Sequence, residues 1–343
     1  RRQRQMCIRD RSKHSIEKQT AHYVDCFTTV SEITNNECRE LLDKPADVVL
    51  MNGFEDDFVP KGATFTGKRK RARSTMLRVA NCLLGEDLGD DTLIIGTSGR
   101  YEFKNKGIDV FLESLNRLNR DKDLKKKVLA FVNVPSWVGD PREDLQKRLK
   151  SKDKFTEPLQ CPFITHWLHN MTHDQVLDML KYLGMGNRPE DKVKVIFVPC
   201  YQDGHDGILN KHYYDLILGE DLSVYPSYYE PWGYTPLESV AFRVPTITTD
   251  LAGFGLWVNS LKNQHGINDG VEVLHRSDYN YSEVADGIKD TVALFSTKTE
   301  AEIKEIRKRA GQVAEQALWK HFIQYYYEAY DIALRNAMKR QLK

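Results

Sequence analysis

The sequence lacks the features that mark disulfide-stapled, zinc-binding or membrane-spanning proteins. Its six cysteines are scattered, with no Cys-x-x-Cys pair, so neither a disulfide framework nor a zinc site is indicated. Unpaired cysteines of this kind favour a reducing compartment, and we expect the cytoplasm. No apolar run approaches the roughly 18 residues of a membrane span, and no signal peptide is visible. We therefore expect no membrane partner.

The chain also carries little net charge, which is +1 at pH 7 over its 343 residues. No strong attraction to nucleic acid is therefore predicted. Residues 1–11 distort even this value, because five arginines against one aspartate give them +4 and leave −3 for the remainder. This leader shows no helical or strand period. We interpret it as non-native translated sequence, and the alternative is a disordered basic tail.

What the chain does contain is an alternation of apolar strands and amphipathic helices. Hydrophobic residues make up 41% and charged residues 29% of it, and the length suits one large or two medium domains. Strands are predicted at 24–29, 48–51, 93–97, 128–134 and 193–198, and helices at 32–42, 108–118 and 213–218. This spacing predicts an α/β fold with a doubly wound, Rossmann-like parallel sheet, interrupted by a polar, mostly helical insertion at 140–191.

Three further polar features, a basic run, a single histidine and a set of three histidines, could indicate other kinds of binding site. The basic run at 68–73 is compatible with a nucleic-acid or localisation patch, but such runs more often form the solvated face of a helix, which is our interpretation. His205 stands in a Gly-rich polar loop, which we do not interpret as a metal site. His166, His169 and His173 have helical spacing, and we expect them on a surface helix of the insertion.

The most informative segment is 225–238, which reads YPSYYEPWGYTPLE. It follows a short apolar run and precedes a helical stretch, so it lies beyond the carboxyl end of a strand, where parallel α/β sheets bind ligands. The amides of Gly233, Tyr234 and Thr235 would open the helix. Unpaired N–H groups and the helix dipole favour phosphate oxygens at such a position.

Two carboxylates flank this cradle. Glu230 stands before the helix, where it can face a bound sugar. Glu238 stands about one or two turns into the helix, where it can accept hydrogen bonds from ribose hydroxyls. An anion cradle between two hydroxyl acceptors predicts a nucleotide-sugar site.

Segment 225–238 resembles the Glu-x7-Glu element of retaining glycosyltransferases with the two-Rossmann (GT-B) fold. Its amino-acid sequence is closer still to that of the glycogen synthases of the fungal and animal type, a family that also has bacterial members. Further likeness to this family lies at 27–34, 52–53, 99–107, 193–197 and 247–255. The full YYEPWGYTP run, together with the Arg-x5-Lys element in 99–107, makes this resemblance specific.

The resemblance implies a domain organisation. Residues 12–52 would be the carboxyl-terminal remnant of the first Rossmann domain, most of which we expect to be missing. Residues 53–300 would form the nucleotide-sugar-binding domain, and residues 301–343 would be helices that pack back toward the first domain. Without that partner, we expect the aromatic residues Trp319, Phe322 and Tyr326 to be exposed as an apolar patch.

The resemblance also assigns roles to single residues. Arg100 and Lys106 would hold the diphosphate of the donor, although in another loop two such cations would be ordinary surface charges. No divalent ion and no cofactor is then expected. Glu230 would lie beside the donor sugar and Glu238 on the ribose. Either Tyr213 or Tyr214 would stack on uracil, and position favours Tyr213.

Taken together, the resemblance implies transfer of glucose from UDP-glucose to the non-reducing end of an α-1,4-glucan such as glycogen, with retention, by a homo-oligomer when the protein is full length. The alternatives are another GT-B transferase, of the sucrose or trehalose synthase kind, and a non-catalytic nucleotide-sugar-binding module.

One departure from the family's pattern concerns regulation. The family's arginine-dense helix is matched only by residues 304–309, which Glu305 interrupts, and this argues against activation by glucose 6-phosphate.

Overall fold

A computed structural model describes residues 2–262 and 264–342, with side chains from residue 11 onward. The strands of this part of the chain are β1 (Thr28–Thr29), β2 (Val48–Val49), β3 (Leu93–Ser98), β4 (Val128–Asn133), β5 (Val138–Pro141), β6 (His166–Leu168), β7 (Val193–Val198), β8 (Leu222–Val224), β9 (Thr246–Thr249) and β10 (Val271–Leu274). Six of them form one parallel sheet in the order β10-β9-β8-β3-β4-β7. Strands β1 and β2 pair in parallel, and β5 pairs with β6 antiparallel.

Helices surround these strands. They are α1 (Arg2–Tyr23), α2 (Glu32–Leu42), α3 (Gly62–Leu84), α4 (Ile108–Asn119), α5 (Glu143–Lys150), α6 (Gln175–Tyr182), α7 (Tyr213–Ile217), α8 (Tyr234–Ala241), α9 (Gly253–Ser260), α10 (Tyr281–Ser296), α11 (Glu300–Gln316) and α12 (Trp319–Gln341). Within the described residues, no helix combines the length and the apolar character that a membrane span requires.

The central strands are apolar on both faces because helices cover both sides of the sheet. Ile94 of β3 packs in one core layer with Met76 of α3, whereas its neighbour Ile95 packs in the opposite layer with Phe111 of α4 and Ile288 of α10. Successive side chains of a strand point to opposite faces, so a strand covered on both sides carries apolar residues at neighbouring positions, as at Ile94 and Ile95. The predicted α/β, doubly wound parallel sheet is confirmed.

The strand order reverses between β3 and β8. From β3 the chain continues outward to β4 and β7 on one side, whereas β8, β9 and β10 follow on the other side. Open α/β sheets bind ligands in the crevice beyond the carboxyl ends of the strands at such a reversal. The loops that follow β3 and β8 therefore occupy the position where a ligand site is expected.

One predicted strand and one predicted helix begin and end at the residues observed in the structure. Strand β7 runs over Val193–Val198, and helix α2 runs over Glu32–Leu42. Ser31 starts α2 by accepting a hydrogen bond from the amide of Thr34, whose side chain in turn accepts from the amide of Ser31. This reciprocal capping satisfies two amides that the first turn leaves unpaired, so the helix start is encoded locally.

The insertion at 140–191 is less helical than predicted. Only α5 and α6, of eight residues each, are helical, and the antiparallel ribbon β5–β6 and irregular segments make up the rest. Expecting the three histidines on a surface helix was therefore wrong. His166 lies in β6 and is buried, because the segment alternates buried and exposed residues with the period of a strand.

The basic run at 68–73 is only in part the solvated helix face that we had expected, because Lys70 and Arg71 are exposed whereas Arg69 and Arg73 are not. Arg69 and Arg73 of α3 turn inward and donate to the two carboxylate oxygens of Asp221 at 2.5 and 2.6 Å. Asp221 is buried next to β8 and also accepts from the amide of Ile94 at 2.9 Å. A buried carboxylate requires cationic partners, so these arginines are part of the core.

The carboxyl-terminal helices do not leave an aromatic patch open at Phe322, which corrects another expectation. Phe322 is buried, with its ring centroid 6.0 Å from Trp232 and 5.5 Å from Trp257. Trp319 packs directly on Gly53, where a Cβ would come within 2.5 Å of its ring. The beginning of α12 therefore packs on the core, although other aromatic residues of this helix are exposed.

The leader is helical from residue 2 onward, although its sequence shows no helical period. Helix α1 spans Arg2–Tyr23, so residues 2–11 continue into the following segment without a break. The origin of these residues, and the domain boundaries at 11, 52 and 300, stay predictions. Helix α12 does reach the amino-terminal part, because Arg340 pairs with Asp25 at 2.6 Å.

Candidate active site

The loop that follows β3 carries the first two predicted site residues. Gly99 adopts φ +142, a conformation that favours glycine, and turns the chain out of the sheet. Arg100 then projects into solvent, with 76% of its side chain exposed and its Nε 3.1 Å from Oε1 of Glu102. Because surface ion pairs of this kind are weak, Arg100 is a cation that an incoming anion can recruit.

This loop and loop 225–233, which follows β8, are in direct contact. Gly107 has φ +68, and a Cβ there would lie 2.0 Å from the carbonyl oxygen of Pro226. The amide of Tyr228 donates to the carbonyl oxygen of Asn105 at 2.7 Å. The two loops therefore form adjoining walls of the crevice at the reversal of strand order.

An ion pair joins the two loops. Nζ of Lys106 donates to Oε2 of Glu230, and only 14% and 18% of the two side chains are exposed. The backbone of Glu230 is fixed as well, because its amide donates to Leu251 and its carbonyl accepts from Gly253, both at 3.0 Å. The two charges compensate each other, so a diphosphate that binds Lys106 has to compete with Glu230.

Glu238 has a partner that the sequence did not reveal. The hydroxyl of Tyr214 donates to Oε1 of Glu238 at 2.8 Å. The ring of Tyr214 stacks on Phe242, with centroids 5.3 Å apart and an interplanar angle of 4°. Burial raises the pKa of Glu238, and the hydrogen bond from Tyr214 opposes this rise. Tyr214 therefore supports the carboxylate of Glu238.

Helix α8 begins where the sequence predicts the anion cradle. Gly233 has φ +111 and directly precedes Tyr234, the first helical residue. No side chain among the described residues caps this end, so the first amides of α8 remain free to donate. Thr235 is half-buried and Tyr234 is exposed. The geometry required for a phosphate at this helix start is present.

A cavity of about 350 Å³ opens at the same edge of the sheet. It is lined by Ser98, Gly99, Arg100, Tyr101, Asn133, Pro135, Cys200, Tyr201, Gln202, Tyr213 and Thr235. The fold thus brings three predicted site residues, Arg100, Tyr213 and Thr235, into one wall. The remaining predicted residues lie outside the lining: Lys106, Glu230, Gly233, Tyr234 and Glu238.

Of Tyr213 and Tyr214, it is Tyr213 that lines this cavity. Its hydroxyl accepts a hydrogen bond from Oγ of Ser98 at 3.0 Å, and burial raises its pKa well above the usual range. The lining agrees with our preference for Tyr213 over Tyr214, whereas stacking on a base stays a prediction.

Two residues of the lining, Tyr201 and Gln202, were not predicted from the sequence. They follow β7 at the same edge of the sheet, and this position after the end of a strand was the signal that could have identified them.

A larger cavity, of about 730 Å³, lies elsewhere. Its lining includes Thr92 and Leu93, where β3 begins, so it opens at the opposite edge of the sheet from the predicted site residues. Arg69 and Arg73 also line it, but their guanidinium groups are engaged by Asp221. Position relative to the strand ends, rather than size, therefore identifies the smaller cavity as the candidate site.

One group of side chains among the described residues has the composition of a metal site. Ligand atoms of His166, Cys200 and Asp206 all lie within 4.8 Å of one another. However, Nε2 of His166 bonds the carbonyl oxygen of Asp206 at 2.7 Å, and the carboxylate of Asp206 accepts from the amides of Ile208 and Leu209. The imidazole of His166 and the carboxylate of Asp206 are thus already engaged in fixing the loop at 203–210.

Comparison with known proteins gives one family. The family model described as "Glycogen synthase" matches residues 7–140 and 140–343. The chain is 28% identical to the glycogen [starch] synthase of Neurospora crassa over 95% of its length and 54% of that protein. It is 29% identical to glycogen [starch] synthase isoform 2 of Saccharomyces cerevisiae, over 96% and 56%. The chain thus spans about half the length of the curated relatives it matches.

Solved structures with the same fold are more distant in sequence. Sucrose-phosphate synthase from Thermosynechococcus elongatus superposes with a TM-score of 0.52 at 17% identity, over 97% of this chain and 62% of that one. Anabaena HepE in complex with UDP and glucose superposes with a TM-score of 0.53 at 16% identity, over 93% and 66%. These likenesses confirm the predicted GT-B glycosyltransferase fold.

Proposed function

Because the chain belongs to the glycogen synthase family, we propose that it is the donor-binding part of an enzyme that transfers glucose from UDP-glucose to the non-reducing end of an α-1,4-glucan, with retention of configuration. The observation that carries this proposal is the cavity at the reversal of strand order, whose wall holds Arg100, Tyr213 and Thr235 together. A Rossmann crevice with a cation, an aromatic ring and a free helix start suits a nucleoside diphosphate.

In this proposal each predicted residue acts on one part of the donor. Tyr213 would contact the uracil, and Glu238, supported by Tyr214, would accept the ribose hydroxyls. The first amides of α8 after Gly233 would bind the distal phosphate. Arg100 would contact the diphosphate, and the exposure of its side chain leaves it able to do so.

The ion pair between the loops suggests how binding prepares the transfer. A diphosphate would draw Lys106 away from Glu230, so that the cation stabilises the charge that develops on the leaving group. Glu230 would then be released toward the donor sugar, where it stabilises an oxocarbenium-like centre or orients sugar hydroxyls. The backbone bonds of Glu230 to Leu251 and Gly253 hold its position through this exchange.

The test uses a protein that carries both Rossmann domains. Arg100→Ala and Lys106→Ala should each lower turnover by on the order of 10²-fold or more, as expected when one charge partner of the transition state is lost. Near-normal turnover in both variants would contradict the assignment. The chain by itself should bind UDP in a calorimetric titration but transfer no labelled glucose to glycogen, because a GT-B cleft needs both domains.

Nucleotide competition tests which nucleotide the proposed donor site prefers. If Glu238 accepts ribose hydroxyls, 2′-deoxy-UDP should bind less tightly than UDP, since a half-buried acceptor then loses one of its donors. ADP should compete poorly, because the space beside Tyr213 is expected to fit a pyrimidine. If ADP binds as tightly as UDP, and Glu238→Gln changes the affinity for neither, the chain belongs to a family that uses another donor.

We further propose that the whole protein is a cytoplasmic homo-oligomer. The likeness to the family supports the oligomer, and the free cysteines support the cytoplasm.

A further inference from the structure

The ribbon β5–β6 has one buried and one exposed face. Val138 pairs with Leu168 across the ribbon, and Leu168 and His166 are buried against the domain. Because successive side chains of a strand alternate, Trp167 lies on the opposite, outward face. The amide of His169 donates to the carbonyl oxygen of Trp137 at 3.1 Å, which places these two residues side by side at the end of the ribbon.

Two tryptophans therefore share the outward face. Trp137 is 72% exposed and Trp167 is 36% exposed. The imidazole of His169 lies 5.0 Å from the indole of Trp137 at an interplanar angle of 40°. Gly139 lies against the backbone of Trp167 and adds no side chain, so the surface beside the indoles stays open. Large exposed indoles on a soluble domain indicate a binding surface, because leaving them in water is unfavourable.

Trp167 is also held in place. The guanidinium of Arg142 lies 4.5 Å from the centre of its ring, and Arg142 is itself fully buried. Arg142 is fixed in turn by two hydrogen bonds to the carboxylate of Asp144, at 2.7 and 3.0 Å, and by one to the carbonyl oxygen of Cys161. One face of the indole is thus covered and rigid, so a ligand on the open face loses little side-chain freedom on binding.

The chemistry around the indoles favours a neutral, hydroxyl-rich ligand. Segments 135–141 and 166–173 contain no lysine or arginine, so they lack the cations that a phosphodiester chain requires. Their exposed polar residues are Asp140, His169, Asn170, Thr172 and His173, which exchange hydrogen bonds with hydroxyls. A pyranose has an apolar C–H face, which packs on an indole, and hydroxyls at its rim, which reach such groups.

The ribbon starts beside the candidate active site. Pro135, two residues before Trp137, lines the same cavity as Arg100 and Tyr213. The amide of Ser136 donates to the carbonyl oxygen of Pro199 at 2.9 Å, which ties the start of the ribbon to the end of β7. A polymer held on the outward face would therefore lie close to the crevice where the proposed transfer takes place.

We infer that the outward face of the ribbon, formed by Trp137, Trp167 and His169, binds an α-1,4-glucan chain as a site separate from the donor cavity. This inference rests on the proposed function, since the glucan is its acceptor. The indoles bind the apolar faces of successive glucose units, and the neighbouring polar residues bind their hydroxyls. Binding here keeps a long glucan next to the crevice between rounds of transfer.

The test measures binding of maltoheptaose by calorimetry and of glycogen by affinity electrophoresis. The unmodified chain should bind both, and Trp137→Ala and Trp167→Ala should each weaken binding by about fivefold to tenfold, the loss of one aromatic contact. Trp137→Phe should keep part of the affinity. Tyr279→Ala, which removes an exposed aromatic residue elsewhere, is the matched control and should bind normally.

UDP titration of the same variants separates this inference from the proposed function. Trp137→Ala and Trp167→Ala should bind UDP as the unmodified chain does. Normal UDP binding with no glucan binding, or with glucan binding that the tryptophan variants do not change, overturns the ribbon site and leaves the donor site standing. Sedimentation that shows a dimer dispersed by Trp137→Ala, or binding of single-stranded RNA instead of glucan, also overturns it.

Discussion

The hydroxyl of Tyr214 donates a hydrogen bond of 2.8 Å to Oε1 of Glu238, the residue expected to hold the ribose. Stacking of the Tyr214 ring on Phe242 fixes the direction of this bond. Burial raises the pKa of Glu238, and the tyrosine lowers it again. The ability of Glu238 to accept hydrogen bonds therefore depends on a residue that the sequence pattern did not single out.

Tyr214→Phe should weaken UDP binding, most strongly at acidic pH. Without the hydroxyl, the pKa of Glu238 rises further, so the carboxyl group protonates at a higher pH and becomes a poorer acceptor. We expect a loss of affinity of about 3- to 10-fold, since one hydrogen bond contributes about 0.5–1.5 kcal/mol. Calorimetric titrations with UDP between about pH 7 and about pH 5 would measure it. The exposed Tyr279→Phe is the control, and identical pH profiles for Tyr214→Phe and the unmodified chain would contradict the prediction.

Removing one partner of the loop-joining ion pair should destabilise the chain more than removing both. Lys106→Ala leaves Glu230 partly buried without a cation, at a cost of about 1–3 kcal/mol in the free energy of unfolding, less than for a fully buried pair. Adding Glu230→Ala should restore part of this loss. Urea denaturation of the four proteins in this cycle gives the coupling energy.

Lys154 and Asp87 provide the control cycle. Their charged atoms lie 2.6 Å apart, but both side chains are exposed, so their coupling should stay below about 1 kcal/mol. Equal coupling in the two cycles would show that Lys106 and Glu230 do not depend on each other for stability.

Glu220 should make the stability of the chain fall as pH rises through neutrality. This carboxyl group is buried, with Ser223 donating to it at 2.6 Å, and burial raises its pKa to about 8. Between the pKa of the unfolded chain and about pH 8 the folded state binds more protons, so the free energy of unfolding decreases with pH across this window. Over the whole window the loss is on the order of a few kcal/mol.

Glu220→Gln keeps the shape without the titration, so it should flatten this dependence. Thermal unfolding or urea denaturation at several pH values between about 5 and 8 would measure the slope. The exposed Glu315→Gln should leave the slope as it is in the unmodified chain. An unchanged slope in Glu220→Gln would mean that other groups determine the pH dependence.

Gly107→Ala should be far more harmful than the same change at Gly184. The two glycines have nearly the same backbone conformation, with φ +68 and +69, so the strain from an added Cβ is similar. At Gly184 nothing lies within 4 Å of that Cβ, whereas at Gly107 it meets the carbonyl oxygen of Pro226 at 2.0 Å. We expect about 1–2 kcal/mol of destabilisation at Gly184 and clearly more at Gly107.

The same pair of variants also tests the site. The clash at Gly107 would push apart the two loops that form the crevice, so UDP binding should be lost in Gly107→Ala and kept in Gly184→Ala. Calorimetry on folded protein, checked by circular dichroism, distinguishes this from unfolding. Full UDP affinity in a folded Gly107→Ala variant would mean that contact between the loops is not required for donor binding.

The sequence predicted those parts of the fold that local patterns encode. Helix α2 has its capping pair at Ser31 and Thr34, and β7 is apolar except for Lys194, so both were predicted with their observed bounds. The ribbon β5–β6 was taken for helix because an insertion rich in charge hides the alternation of a strand. In that segment Trp167 stands exposed between two buried residues, and only the packed structure shows which side is covered.

The site shows the same limit. Its position after β3 and β8 follows from the order of apolar runs and motifs, and the candidate residues were found there. The contacts between them were not predicted, because Lys106 and Glu230 are 124 residues apart in sequence. Likewise, Arg69 and Arg73 look like a surface run until the buried Asp221 is seen between them. Pairings of this kind depend on the closed fold, which no short window of sequence contains.

The order of strands in the sheet also determines when its central strands can pair during synthesis of the chain. Strand β3 lies at the centre, but its neighbour β8 is separated from it by residues 99–221, so during synthesis β3 and β4 exist well before β8 does. At typical rates of translation this interval is on the order of ten seconds. Throughout it, one apolar edge of β3 has no partner and is open to pairing with another nascent chain. We therefore expect folding to be slow and dependent on chaperones that cover this edge until β8 emerges from the ribosome.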